Sequence, residues 1–334
     1  PHAQTLVGRL LRARTTPRYR RERWETPDGD FLDLDFWEPG GHAASSGAGP
    51  ASARIRGGDP AHGRPRVLVL HGLEGCSTSG YVQETCRRLA ERGLRPVALN
   101  FRSRSGEPNR TRRFYHSGET GDLAWVLDRL ARREPGAPVG AVGYSLGGNV
   151  LLKYLGERGE DARGRVRAAV AVSVPYRLSE SADALEAGLG PLYARFFLRS
   201  LRRSVRAKSA RHGHEYDLPA PSRVRTLRAF DDAFTAPVHG FDGAEDYYRR
   251  SSSARYLPGV RVPTLLLQAR NDPFLPADAL PEEEMEGNPW LAPGLTDRGG
   301  HLGFVEGRTP WGVRFWAEAE TARFLGRVLP RADG

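Results

Sequence analysis

The sequence predicts an α/β protein: a mostly parallel sheet flanked by helices, with a helical cap inserted after the strand that ends near Val174. Three observations predict it. Short, continuous apolar runs recur along the chain, as strands buried on both faces require. Helical stretches separate those runs, the rhythm of right-handed βαβ units. The rhythm breaks once, over 176–257, and then resumes.

The elements follow in order. Arg23–Thr26 and Phe31–Trp37 read as two strands joined by Pro27-Asp28-Gly29-Asp30, whose residue types favour a tight turn. The second strand alternates apolar and acidic residues, which predicts one face in water. Residues 39–65 are Gly, Ala, Ser and Pro with little to bury and read as a flexible surface insertion rather than a domain. Val67–His71 is the first buried strand, followed by a helix over about Tyr81–Arg92 that stops at Gly93. Pro96–Leu99 is the next strand, and a helix over about Glu119–Arg133 ends before Pro135. Val139–Gly143, a helix over Leu146–Glu157 and the run Ala168–Val174 continue the pattern. The cap, 176–257, reads as helical; Val262–Gln268, a short strand near Leu295 and a closing helix over about Val313–Leu329 complete a single domain spanning 1–334. No internal repeat is visible.

Composition narrows the class. Apolar residues make up 39% of the 334, enough for a sizeable core, so wholesale disorder is excluded. No run approaches the ~18 apolar residues of a membrane span. The start, Pro1-His2-Ala3-Gln4-Thr5, carries no export signal, and Cys76 and Cys86 are too few for a disulfide framework or a zinc site, so a cytoplasmic protein is expected. The net charge of +10 is almost all arginine, spread along the chain and without a nucleic-acid reading motif, so no nucleic-acid partner is expected.

The chemistry centres on Gly143-Tyr144-Ser145-Leu146-Gly147, a G-x-S-x-G segment between a buried strand and a helix. Such a turn lifts a serine hydroxyl above the sheet and leaves room only for very small residues two positions to either side. A serine hydroxyl needs a base, and the base an orienting acid. Asp272 follows the strand Val262–Gln268 at its carboxyl end, with Asp278 as the alternative; His301, in Gly299–Phe304, is the only histidine after His239. Ser145, Asp272 and His301 are therefore the predicted catalytic residues, with Asp272 accepting from His301 Nδ1 and Nε2 taking the Ser145 proton. The backbone N–H groups of Leu146 and of Leu73, in the loop His71-Gly72-Leu73-Glu74-Gly75, are the predicted oxyanion donors. His71 reads as shaping that loop by hydrogen bonding, and Cys76 has no neighbour that would make it a nucleophile. Nothing calls for a metal or an organic cofactor.

Beyond the single motif, the chain resembles the α/β-hydrolase superfamily, and within it the bacterial YheT-type hydrolases and their ABHD-type (AB hydrolase 4) relatives. The resemblance runs through Pro1–Thr5, His71–Gly75, Ser105-Gly106-Glu107-Pro108-Asn109, His116-Ser117-Gly118-Glu119-Thr120, Gly143–Asn149, Phe230-Asp231-Asp232, Asp246–Tyr248, Asn271–Phe274 and Gly300–Phe304. It implies the α/β-hydrolase fold and carboxylic-ester hydrolysis by Ser145, Asp272 and His301 through an acyl-enzyme. Thioesterase and acyltransferase activity on the same residues, or a binding protein on a hydrolase scaffold, are the alternatives. Two departures stand out: the 39–65 insertion is longer than the family's, and Ser103-Arg104 replaces a small pair, so the loop before Ser105 is expected to differ in shape.

Leu192, Phe196, Phe197, Leu201 and Val205 fall at helical spacing among Arg199, Arg202, Arg203, Arg206, Lys208 and Arg211. This reads as a cap helix with its apolar stripe on the core; a helix lying on an anionic membrane is the alternative, and Leu6–Arg12 shares the ambiguity. The expected partner is a small-molecule or lipid ester, with peripheral membrane contact left open along with the oligomeric state.

Overall fold

The computed structural model describes residues 2–12, 19–38, 63–212, 224–307 and 312–329. Most of the 39–65 insertion lies outside the described residues.

Eight strands form one sheet: β1 (Tyr19–Glu25), β2 (Phe31–Trp37), β3 (Arg66–Leu70), β4 (Arg95–Asn100), β5 (Val139–Tyr144), β6 (Ala168–Val172), β7 (Thr264–Ala269) and β8 (Leu291–Thr296). Their order is β1-β2-β4-β3-β5-β6-β7-β8, and every pair from β4 to β8 is parallel, while β2 runs antiparallel to both its neighbours. The fold is therefore the predicted α/β arrangement. The strands are apolar at successive positions because both faces are covered. In β3, Val67 and Val69 pack under α2 (Gly80–Glu91) and α11 (Trp316–Val328), whereas Leu68 and Leu70 pack under α3 (Gly121–Arg133) and α4 (Leu146–Arg158). Each such side chain, fully removed from water, contributes roughly 1.5–3 kcal/mol.

One expectation fails at β2. Its acidic positions do not face water: Asp33 and Asp35 are buried. In register, Arg23 stands opposite Asp33 and Arg21 opposite Asp35, and each guanidinium grips its carboxylate through two bonds of 2.7–2.9 Å. Burial alone would push these carboxyls up; the paired arginines hold both below the usual range. Alternation thus records a strand whose polar face is roofed by arginine stems rather than by solvent.

Between β6 and β7 lie α5 (Leu178–Ala184), α6 (Gly190–His212), a short segment that passes through a π turn at Asp231–Thr235 between α7 (Leu227–Phe230) and α8 (Ala236–His239), and α9 (Ala244–Ser251). α10 (Glu282–Glu286) lies between β7 and β8, and α1 (His2–Leu11) packs through Gly8 against Gly303. Just past α1, Arg12 bonds Glu318 of α11 at 2.7 Å and the carbonyl of Leu302 at 2.7 Å, with both Arg12 and Glu318 buried. Taking Arg12 away would leave a buried carboxylate uncompensated. Arg12→Met should therefore lower unfolding free energy by about 3 kcal/mol, and Arg12→Met/Glu318→Leu should recover most of it in denaturant melts. Equal losses in the single and double variants would show that the pair does not carry this contact.

Candidate active site

The strand order reverses around β3: β4 lies on one side and β5 on the other, so the carboxyl ends of β3 and β5 share a crevice of the kind where open α/β sheets place their sites. Ser145 stands at the end of β5, one residue before α4, with φ 51° and ψ −119°. A non-glycine residue in such a conformation costs roughly 1–3 kcal/mol and persists only where its surroundings impose it. Here Ser145 N–H donates to Val172 of β6 at 2.8 Å, and its carbonyl accepts from Asn149 at 3.0 Å. The flanking glycines are compelled by contact. A Cβ at Gly143 would come within 2.4 Å of the Gly147 carbonyl oxygen, and one at Gly147 within 2.6 Å of the His71 carbonyl oxygen.

Two further loops converge on Ser145. Its Oγ is 3.0 Å from His301 Nε2, and His301 Nδ1 is 2.9 Å from Asp272 Oδ2. Asp272 follows β7 and also accepts from Gln268 Nε2 at 3.1 Å and from Phe274 N–H at 2.9 Å. The Phe274 ring lies 4.2 Å from the His301 ring, centroid to centroid. The structure thus brings Ser145, His301 and Asp272 into one hydrogen-bonded row, while Asp278 is exposed in a short turn at Ala277–Ala279.

The supports of the His301 loop lie far away in sequence. Asn271 Oδ1 accepts from Gly299 and Gly300, Thr5 Oγ1 accepts from His301 N–H at 2.9 Å, and Arg12 holds the Leu302 and Gly303 carbonyls. Gly8 packs so closely that a Cβ there would sit 2.9 Å from Gly303 Cα. Motif reading did not find these supports. Asn271 stands beside the predicted acid and Thr5 ends the Pro1–Thr5 segment of the family resemblance, both usable signals; Arg12 carries none, because nothing local marks a residue that bonds a loop nearly 300 positions away.

Beside the serine lies the loop after β3. A Cβ on Gly72 would approach Ser145 Cβ to 3.1 Å, so this loop passes directly against the hydroxyl-bearing residue. His71 is fully buried; Nδ1 bonds the Gly72 carbonyl at 2.8 Å, Nε2 accepts from Phe101 N–H at 3.2 Å, and burial pushes its pKa down to about 3. It is a neutral ring with both nitrogens occupied. Among the described residues neither Leu73 N–H nor Leu146 N–H has an acceptor, and both residues line the same cavity as Ser145. The departure at Ser103-Arg104 acquires a meaning here. Arg104 bonds the Glu74 carboxylate at 2.9 Å, the Glu74 carbonyl at 2.6 Å and the Gly75 carbonyl at 3.2 Å, and Tyr115 O–H donates to the same carboxylate at 2.8 Å. One guanidinium therefore clamps the backbone that follows Leu73, at Glu74 with φ 58°.

Above this floor an open cavity is walled by Leu178, Leu185, Phe197, Leu201, Val205 and Phe230 of the helical stretch. The arrangement can activate a hydroxyl by hydrogen bonding, stabilise a developing oxyanion and hold an apolar chain. Among the described residues no group of three or more His, Cys, Asp or Glu side chains could hold a metal ion. Asp231, a carboxyl in the π turn of the cavity wall, accepts from Thr235 Oγ1 at 2.6 Å and Tyr248 O–H at 2.8 Å, and burial raises its pKa to about 6.

The α/β-hydrolase fold family model matches residues 65–307. The chain is 38% identical over 98% of its length, and 91% of the relative's, to the Escherichia coli protein named "Putative esterase YheT". It is 33% identical to mouse phospholipase ABHD3, covering 92% of this chain and 71% of that one, and 31% identical to the Saccharomyces cerevisiae monoacylglycerol lipase, covering 78% and 59%. A Pyrococcus furiosus esterase structure superposes with a TM-score of 0.59 at 16% identity, covering 94% of this chain and 93% of that one, a likeness of fold.

Asp231 yields a pH test. Its folded-state pKa lies above the ordinary 3.8, so folding favours the protonated form. That contribution is complete below about pH 4 and is lost as pH rises through about 6; above it, the buried charge costs stability. Asp231→Asn should match the parent near pH 4 and exceed it by up to about 3 kcal/mol near pH 8 in urea melts. Parallel profiles at the two pH values would contradict this.

Proposed function

The chain belongs to the α/β-hydrolase fold family, in the group that contains the YheT- and ABHD-type proteins, and from that premise we propose that it hydrolyses carboxylic esters through an acyl-Ser145 intermediate. The observation that carries the reading is the row Ser145–His301–Asp272 at the floor of an apolar cavity. In this reading His301 Nε2 accepts the Ser145 proton as Oγ attacks the ester carbonyl, and Asp272 holds Nδ1–H so that the correct nitrogen faces the serine. The tetrahedral oxyanion is taken by the N–H groups of Leu73 and Leu146. His301 then returns the proton to the departing alcohol, and water, deprotonated by the same nitrogen, releases the acid. Arg104 acts as a positioning residue, through the loop that presents Leu73 N–H.

The apolar cavity wall favours an acyl chain over a small polar acyl group, in keeping with the phospholipase and monoacylglycerol lipase names of two relatives. Transfer of the acyl group to another alcohol or release from a thioester would use the same residues, and substrate panels separate them.

A fluorophosphonate probe should label the protein, and Ser145→Ala should abolish labelling and lower p-nitrophenyl ester turnover by about 10⁴-fold or more. Absence of labelling in the parent chain would favour a binding protein on a hydrolase scaffold. Arg104→Ala should lower kcat by about tenfold with KM little changed, because an oxyanion donor acts chiefly in the transition state. A rise in KM at constant kcat would instead make Arg104 a substrate contact.

A further inference from the structure

α6 has two unlike faces. Phe197, Leu201 and Val205 turn inward and wall the cavity, with Lys208 on the same side donating to the Thr111 carbonyl at 2.8 Å. Leu192, Phe196, Arg199, Arg203 and Arg206 occupy successive turns of the opposite face, spaced by three or four residues, and all are exposed. Leu192 is 62% exposed, and Phe196 and the preceding Leu189 are 51% exposed each. Phe196 meets the Phe197 ring edge-on at 5.8 Å, yet half of it, with most of Leu192 and half of Leu189, is left exposed at one end of the helix.

The arginines beside them differ from those that tie the fold together, which end on carboxylate: Arg12 on Glu318, Arg23 on Asp33, Arg102 on Asp30 and Asp122, Arg104 on Glu74. Arg195, Arg199, Arg203 and Arg206 have no carboxylate partner among the described residues. An apolar tip continuous with a row of unpaired guanidinium groups matches an interface that is apolar below and anionic above. A nucleic-acid polyanion would use the arginines but leave Leu189, Leu192 and Phe196 in water. No helix among the described residues is long and apolar enough to cross a membrane, so the match is to a surface-lying mode.

We propose that the outward face of α6 docks the protein on bilayers containing anionic phospholipid, with Leu189, Leu192 and Phe196 in the interface and Arg199, Arg203 and Arg206 on lipid phosphates. Docking is independent of the ester reading; its consequence rests on that reading. The helix that meets the bilayer also walls the cavity above Ser145, so a lipid ester would pass from one to the other along a single apolar element.

Co-flotation of the full chain with phosphatidylglycerol–phosphatidylcholine vesicles tests the proposal. Binding is expected at low salt, falling with added salt, and is not expected to phosphatidylcholine alone. Each arginine near such a surface contributes about fivefold, so Arg199→Glu/Arg203→Glu should weaken partitioning by about 25-fold or more. Leu192→Asp/Phe196→Asp should weaken it by at least about tenfold. Both pairs are exposed, and unchanged thermal midpoints and fluorophosphonate labelling in free solution would show that the variants fold. Failure of labelling in every variant would count against the ester reading alone, since flotation does not require turnover. The docking proposal is overturned by absence of co-flotation, or by Leu192→Asp/Phe196→Asp floating like the parent. The latter result, together with equally tight binding of duplex DNA, would identify a general polyanion surface instead.

Discussion

The close approach of α4 to the end of β3 is the constraint on which the rest of the site depends. Gly147 lies so near the Leu70 and His71 carbonyls that no side chain fits, and Gly143 lies equally near the backbone of Gly147. This contact holds Ser145 at positive φ with its hydroxyl clear of the sheet, and it places the loop after β3 against that hydroxyl. The energy stored in one strained residue is offset by β5, buried along its whole length between two parallel neighbours.

Arginine performs three distinct tasks in this chain. At β1 and β2 it roofs a buried acidic strand face through cross-strand pairs. At the buried Arg12 and Arg102 and the part-buried Arg104 it is a tie between segments distant in sequence, satisfied by carboxylates or carbonyls. On the outer face of α6 it stands without a carboxylate. The first two groups are costly to break singly, because a lone partner would be left buried and charged. The third is free to meet an external anion, and it sits on the helix that also forms the cavity wall.

The histidine loop shows how widely the candidate site is supported. His301 is held through its ring by Asp272 and Phe274, through its backbone by Thr5, and through its neighbours by Asn271 and Arg12. The beginning of the chain and its closing helix therefore bear on the geometry at Ser145, although neither contributes an atom to the row.

The sequence by itself determined the strand and helix order, the strand-to-helix turn at Ser145, and the candidate acid and base. These are written in local terms: apolar runs for strands covered on both faces, helical periodicity, and glycines two residues from a serine. The β2 aspartates depart from the solvent-facing expectation because alternation records a change of polarity across a strand, not what covers its polar side; register with β1 decided that. Only the tertiary structure brought Arg104 onto Glu74 and Gly75, Arg12 onto Glu318 and Leu302, and the unpaired arginines of α6 to one face beside exposed leucine and phenylalanine. Such contacts join residues tens to hundreds of positions apart, and they arise from packing of whole layers, which leaves no periodic trace in the chain.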